Sequence, residues 1–274
     1  MSPFRLAPTA VVAYCLPMPK VRDEAVCIRR WDFSETSQTV SLFCREQGLL
    51  RGLAKGAKRE KGQFAGGIEL LTRGEVLAVV RKERDLATIT DWSLLEIYPA
   101  LSRSLTAHRA GLYFADLLAH LLHEADPHPR LYDRFVASLR ALDQEDAVMS
   151  TVLDFQWTLL VEAGYRPILN RDAVTGEPLA IVDGAVAFSP DRGGTVSACG
   201  ANDGWRVRAE TIALLGALDD TDATGSSNTA LSNAGAVVVD RANRLLAAYI
   251  RHLLDRELPT MRHLLGDLHA STRR

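Results

Sequence analysis

Four cations fall within nine residues of this sequence, in Ala54-Lys55-Gly56-Ala57-Lys58-Arg59-Glu60-Lys61-Gly62. Ammonium and guanidinium groups at that density neutralise phosphates without reading bases. Gly52, Gly56 and Gly62 fit a backbone that approaches a phosphate with no side chain between. Glu60 lies among the cations and weakens their field, and a solvated surface turn is the plainer alternative for any charge run. The contrast with the rest of the chain argues for function: 274 residues carry a formal net charge of −2, so the basic loop is a local device and not a by-product of composition. Lys58 and Arg59 lead the candidates for phosphate contact, followed by Lys55, Lys61 and Arg51. A second group, Arg81-Lys82-Glu83-Arg84, would extend the same track from a neighbouring strand turn, or form only a charged hairpin tip.

The imbalance is regional. Residues 1–90 hold 15 Lys and Arg against 10 Asp and Glu, whereas the remainder holds 17 against 24, so a polyanion is drawn to the first part. Aromatic rings that could stack on bases there are few. Phe43 reads as core, Phe64 as a residue tucking the basic loop's return onto the fold, and Trp31 is open between packing and surface; Phe33 completes the set. Binding is expected to be mainly electrostatic and weakly sequence-specific. Catalytic patterns are lacking: no GxxxxGK[ST] phosphate loop occurs, His120, His123 and Glu124 miss the spacing of a zinc protease, and Ser34 to Ser37 have no base beside them in sequence. The histidines read as a solvated helix edge, and Ser34 to Ser37 as a turn or a short helix initiator feeding the next strand. The four cysteines, Cys15, Cys27, Cys44 and Cys199, form no CxxC pair, so no thiolate metal site or disulfide framework is indicated. No run of about 20 apolar residues exists, and Met1 to Arg5 lack a signal's apolar core; the expectation is a cytoplasmic, nucleoid-associated protein.

The elements that must position these residues change period near Leu94. Before it, Ala10–Leu16, Glu24–Arg29, Thr39–Cys44, Leu49–Ala54, Ile68–Leu71, Glu75–Val80 and Leu86–Thr90 read as short strands, with Gln47-Gly48 as a tight reversal. So many short strands predict a small closed or partly closed barrel over residues 1–90. After it, helical spacing marks His108–Leu122, Leu131–Leu142 and Ala147–Ala163, which pack as a bundle. Residues 165–205 lose the period, a helix resumes over Val207–Leu218, Asp219–Asn228 reads as a mobile loop, and Ala236–Leu254 and Met261–Leu268 return to helix.

Several stretches together resemble the RecO family of bacterial DNA-repair and recombination-mediator proteins. They are Asp32-Phe33-Ser34-Glu35-Thr36-Ser37, Leu42 to Leu49, and Ala54-Lys55-Gly56-Ala57-Lys58-Arg59, which matches that family's Ala-Lys-Gly-Ala-Arg-Arg type signature. Leu159 to Pro167 looks like its Gly-Tyr-x-Pro helix end, and Phe188-Ser189-Pro190 with Gly193-Gly194 resembles its zinc-binding insertion. The resemblance implies an α+β protein: an N-terminal OB-fold β-barrel over 1–90, then an α-helical domain over 91–274 with a zinc-finger-like insertion at 165–205. It further implies binding of single- and double-stranded DNA, strand annealing, recombinase loading with RecR protein, contact with the C-terminal tail of single-stranded-DNA-binding protein, and no covalent chemistry.

One departure stands out. The family's two Cys-x-x-Cys pairs fall here on Asp172 and Thr175 and on Ser197 and Gly200, with Cys199 out of register. One carboxylate and one cysteine make a poor tetrahedral site, so the insertion is read as degenerate, without metal or other cofactor, and held by Val174, Leu179, Val186, Phe188 and Trp205. Arg241, Arg244, Arg251 and Arg256, beside Leu245, Leu246 and Leu253, are the candidate rim of an apolar groove for the acidic tail; the alternative is an amphipathic core helix with a charged outer face. The leading function is a non-enzymatic, DNA-binding annealing and loading factor. The alternative is a protein-interaction scaffold with weak intrinsic DNA binding.

Overall fold

The structure is a computed structural model that describes residues 20–59, 64, 67–80, 85–179, 181–197, 204–222 and 227–267. The expected strand Ala10–Leu16 lies outside them. Strand β1 (Lys20–Asp32) is long enough to serve two neighbours. Its first half pairs antiparallel with β4 (Arg73–Val79) and its second with β2 (Gln38–Cys44). A register shift between Cys27 and Arg29 supplies the bulge that bends it from one to the other. The chain reverses into β3 (Gly48–Ala54), which lies parallel to β5 (Ala87–Glu96), and β5 returns antiparallel to β4. The mixed five-stranded sheet thus closes in the order β1-β2-β3-β5-β4, its last seam being the short parallel pairing of Gly52–Ala54 with Ala87–Ile89.

Small and large side chains interleave inside the sheet, with Ala25, Cys27, Ala54 and Ala78 against Val40, Leu42, Ile89 and Trp92. Gly74 provides the slot for Trp92, because a Cβ there would stand 2.5 Å from the indole. Two expectations are corrected. Ile68–Leu71 is a turn and not a strand: the Leu71 amide donates to the Cys27 carbonyl, the Thr72 hydroxyl donates to the Glu69 carbonyl, and Leu71 has φ 56°, while Ile68 is still buried. The strand expected to stop at Thr90 runs to Glu96, since Leu94 and Glu96 still face Gly74 and Arg73 across the ladder.

Helices follow: α1 (Ala100–Arg103), α2 (Leu105–Leu121), α3 (Pro129–Ala141) and α4 (Val148–Glu162), then α5 (Ala209–Asp222), α6 (Ser227–Asn233), α7 (Ala236–Leu254) and α8 (Pro259–Leu265). Ser104 caps α2 by accepting from the Ala107 amide, and Pro129 opens α3, where its missing N–H costs nothing. Helix α4 sits at the centre and buries Val152, Phe155, Trp157 and Leu159. Its Gln156 is buried but satisfied: Tyr113 of α2 donates to its carbonyl, it donates to Asn243 of α7, and Asn243 donates to the Met149 carbonyl. The stretch expected as a loop from Asp219 is helical through Asp222 and again from Ser227, because propagation from the packed Ile212–Leu218 turns adds a bond per residue fixed. Residues 223–226 lie outside the described residues.

The barrel is clamped to the bundle along one side. Phe43 packs its ring against Tyr132 and Phe135, with centroids 5.8 and 6.2 Å away. The Arg45 guanidinium donates to both Asp133 oxygens at 2.9 Å, and that bond holds the carboxyl below its usual range. Arg140 and Arg73 do the same to Glu96. At the β2–β3 reversal Gly48 has φ +67°, and a Cβ there would come within 2.2 Å of the Asp126 carbonyl oxygen.

The insertion carries a three-stranded sheet, β7 (Gly194–Val196), β6 (Ala185–Ser189) and β8 (Trp205–Arg208), in the order β7-β6-β8. Phe188 stacks on Trp205 and meets Tyr249 edge-on, and Val186 is buried, but Val174 is 61% exposed and holds nothing together. A carboxylate does that work. Asp172, only 5% exposed, accepts from the amides of Val174 and Thr175 with one oxygen and from Ser197, at 2.6 Å, with the other. Two loops that a metal would join through cysteines are joined here by hydrogen bonds. These amides, Ser197 foremost, hold the Asp172 carboxyl far below the ordinary carboxylate range.

Candidate nucleic-acid interface

The basic loop leaves β3 as a turn over Lys55–Lys58, closed by the Arg59 amide donating to the Gly56 carbonyl. Ala57 is fully buried and anchors it in the barrel. Two further bonds strap it to the β1–β2 connection: the Gly56 amide donates to the Ser37 hydroxyl and the Lys58 amide to the Thr36 carbonyl. Lys55 and Arg59 are exposed, and among the described residues neither forms an ion pair. Lys58, ranked first with Arg59 on sequence, is half-buried with its ammonium 2.7 Å from Asp32. Lys61 lies outside the described residues.

Arg51 is exposed on β3, 3.5 Å from Glu124. Arg81, Lys82 and Arg84 fall outside the described residues; the strand that follows them begins at Ala87, beside Gly52 and one residue from Arg51 in register. Across the β1–β2–β3 face, Trp31, Thr39 and Leu53 form one row and Arg29, Ser41 and Arg51 the next. Trp31 and Phe33 are 47% and 63% exposed, whereas Phe43 and Phe64 are buried.

Several other cations of the barrel are engaged. Arg30 pairs with Glu69 and Arg22 with Glu75. Arg29 turns away from the surface to join the barrel to α2, donating to Asp116 at 3.0 Å, while Thr260 of α8 donates to the other Asp116 oxygen. The Arg29 guanidinium also lies 3.2 Å from the His120 ring. His120 is therefore no solvated helix edge: burial, helped by the charges of Arg29 and Arg256, pulls its pKa down. Sequence reasoning missed Asp116 and Thr260, which carry no local pattern.

The arginine-rimmed groove on α7 is corrected. Leu245 and Leu246, its expected floor, are core residues. Arg241 pairs with Glu210, Arg244 reaches Asp240 at 2.9 Å and the Asp267 carbonyl, Arg251 has Nη1 buried, and Arg256 is exposed at the helix end. An open groove of about 1000 Å³ lies instead between α3, the start of α4, α6 and the start of α7; Glu145, Asp146, Asp154 and Asp240 line it together with Arg134, which pairs with Asp154, so acidic groups prevail there and an acidic tail is disfavoured.

Burial pushes the Cys27 thiol up to about 12 and Cys44 well above its ordinary value. Among the described residues no group of three or more His, Cys, Asp or Glu could hold a metal, and no helix is long and apolar enough to cross a membrane.

Fold and site together define a class: a closed mixed β-barrel with a strapped basic loop, clamped to a helical bundle with a small sheet insertion. The family description "Recombination protein O N terminal" matches residues 18–98, and "Recombination protein O C terminal" matches residues 103–262. The chain belongs to the RecO family, whose members are non-catalytic mediators in DNA repair and recombination. It is 33% identical to the DNA repair protein RecO of Rhodopirellula baltica over 63% of this chain and 64% of that relative, and 33% identical to that of Geobacter sulfurreducens over 72% and 80%. With the relative from Anaeromyxobacter dehalogenans it shares 28% identity over 90% and 96%. The match spans just under two thirds of the length of the relatives from Rhodopirellula baltica and Salinibacter ruber.

Proposed function

We propose that this chain is a non-enzymatic DNA-binding recombination mediator that anneals complementary strands and assists recombinase loading. The observation that carries the reading is the exposure of Lys55 and Arg59 on a loop pinned to the barrel. We read the barrel as an OB-fold, a five-stranded architecture whose strand 2–3 face and β1–β2 and β4–β5 connections bind oligonucleotides. In this chain Arg51 lies on β3, Trp31 at the end of β1, Phe33 in the β1–β2 connection, and Arg81, Lys82 and Arg84 fall in sequence between β4 and β5. Cations along that path lower the repulsion between two strands, and annealing follows physically. RecR protein and single-stranded-DNA-binding protein are the partners that the family implies. A fluorescence-transfer assay on complementary oligonucleotides tests the reading: the protein should accelerate annealing at low salt and lose the effect as salt rises.

A scaffold with weak intrinsic DNA binding is the second reading. It is favoured by the pairing of Lys58 with Asp32 and of Arg51 with Glu124, which leaves fewer cations for phosphate than the sequence suggests. Unaccelerated annealing at every salt concentration would put it first.

A further inference from the structure

We propose that Trp31 and Phe33 form a base-stacking platform that makes this end of the barrel prefer single strands with unstacked bases over duplex. The inference rests on the nucleic-acid reading above and deepens it. Large aromatic rings are costly to leave in water, and these two are among the most exposed on the barrel. They flank Asp32, the last residue of β1: Trp31 belongs to the strand and Phe33 opens the turn beyond it.

The backbone beneath them is held. The amides of Phe33 and Ser34 both donate to the Ser37 carbonyl, and Thr36 and Ser37 accept from the basic loop. Asp32, between them in sequence, carries the Lys58 ammonium at 2.7 Å, with Lys55 and Arg59 on the same loop. Cations and exposed rings thus share the end of the barrel where β1 meets the basic loop, the combination that binds single strands without reading sequence. Asp32 and the exposed Glu35 oppose phosphate here, so the rings supply attraction that charge alone does not. A duplex keeps its base faces covered by stacking and cannot use them.

The test is anisotropy of the full chain with three labelled probes of equal length: oligothymidylate, an abasic strand with phosphates but no bases, and a duplex. Oligothymidylate should bind about tenfold or more tighter than the abasic strand. In Trp31→Ala/Phe33→Ala that advantage should vanish, with duplex affinity and salt slope unchanged, while Trp31→Tyr should retain it. Trp92 and Trp157 are buried and Trp205 stacks on Phe188, so quenching of tryptophan emission by oligothymidylate should report Trp31. Equal affinity for oligothymidylate and the abasic strand, or an advantage that survives the double substitution, overturns stacking and leaves the phosphate reading standing. Absence of binding to all three probes overturns both.

Discussion

The Lys58 ammonium lies 2.7 Å from the Asp32 carboxylate, so the cation that the sequence ranks with Arg59 is already engaged inside the protein. DNA must share that ammonium with Asp32 or leave it in place. Asp32→Asn should tighten oligonucleotide binding about two- to fivefold at low salt and steepen the dependence of log K on log salt by about one, as one more phosphate contact becomes available. Titration of the variant beside the wild type at several salt concentrations measures both. Unchanged affinity and slope would mean that Lys58 takes no part.

Asp172 ties the two loops of the insertion through three amide bonds. Asp172→Ala leaves those donors without a partner and should lower Tm by several degrees at neutral pH. The carboxyl's folded pKa lies below its unfolded value, so its contribution is complete above about 3.9 and is lost as pH falls through the depressed value. The Tm gap between wild type and Asp172→Ala should therefore be widest near neutrality and narrow in acid, which calorimetry across pH resolves. Asp172→Asn, which keeps one acceptor, should fall between the two.

Gly48 meets the Asp126 backbone where the barrel touches the α2–α3 connection. Gly48→Ala adds left-handed strain and an overlap with a carbonyl oxygen that cannot rotate away, so Tm should drop by more than about 5 °C. Hydrogen exchange should show the loss centred on Leu49 and Ala125, whose backbones are bonded at 3.2 Å.

Cys27 and Cys44 line the barrel interior with thiols held protonated by burial. In a Cys15→Ser/Cys199→Ser background, a thiol reagent at pH 8 should find no reactive group in the native protein and two after denaturation. Rapid labelling of the native variant would show that the barrel opens.

Period-two alternation made the Thr39–Cys44 strand readable, the Gln47-Gly48 reversal pointed to Leu49–Ala54 as its partner, and 3.6-residue spacing marked α2, α4 and α7. Ambiguity set in at Leu94-Leu95, which opens a helical pattern on paper but continues β5 because Gly74 and Arg73 offer partners. The basic loop was visible as composition, yet its ion pair was not: Lys58 and Asp32 are distant in sequence, and only the successive β1–β2 and β2–β3 pairings, which set Asp32, Gln38 and Ala54 in one row, bring them together. Arg29 and Asp116, 87 residues apart, are the same case. The Asp172 clasp was hidden for another reason. A carboxylate that accepts backbone amides depends on loop conformation, and no residue pattern records where an amide points.

The central claim is that the exposed cations of the loop after β3 bind nucleic acid. Its most direct measurement is anisotropy of a labelled single-stranded oligonucleotide with wild type and Lys55→Ala/Arg59→Ala at two salt concentrations. Binding should be salt-sensitive and weakened about tenfold or more by the double substitution, with a salt slope lower by about two and an unchanged Tm. Binding that the substitution leaves intact, or no binding even at low salt, would contradict it.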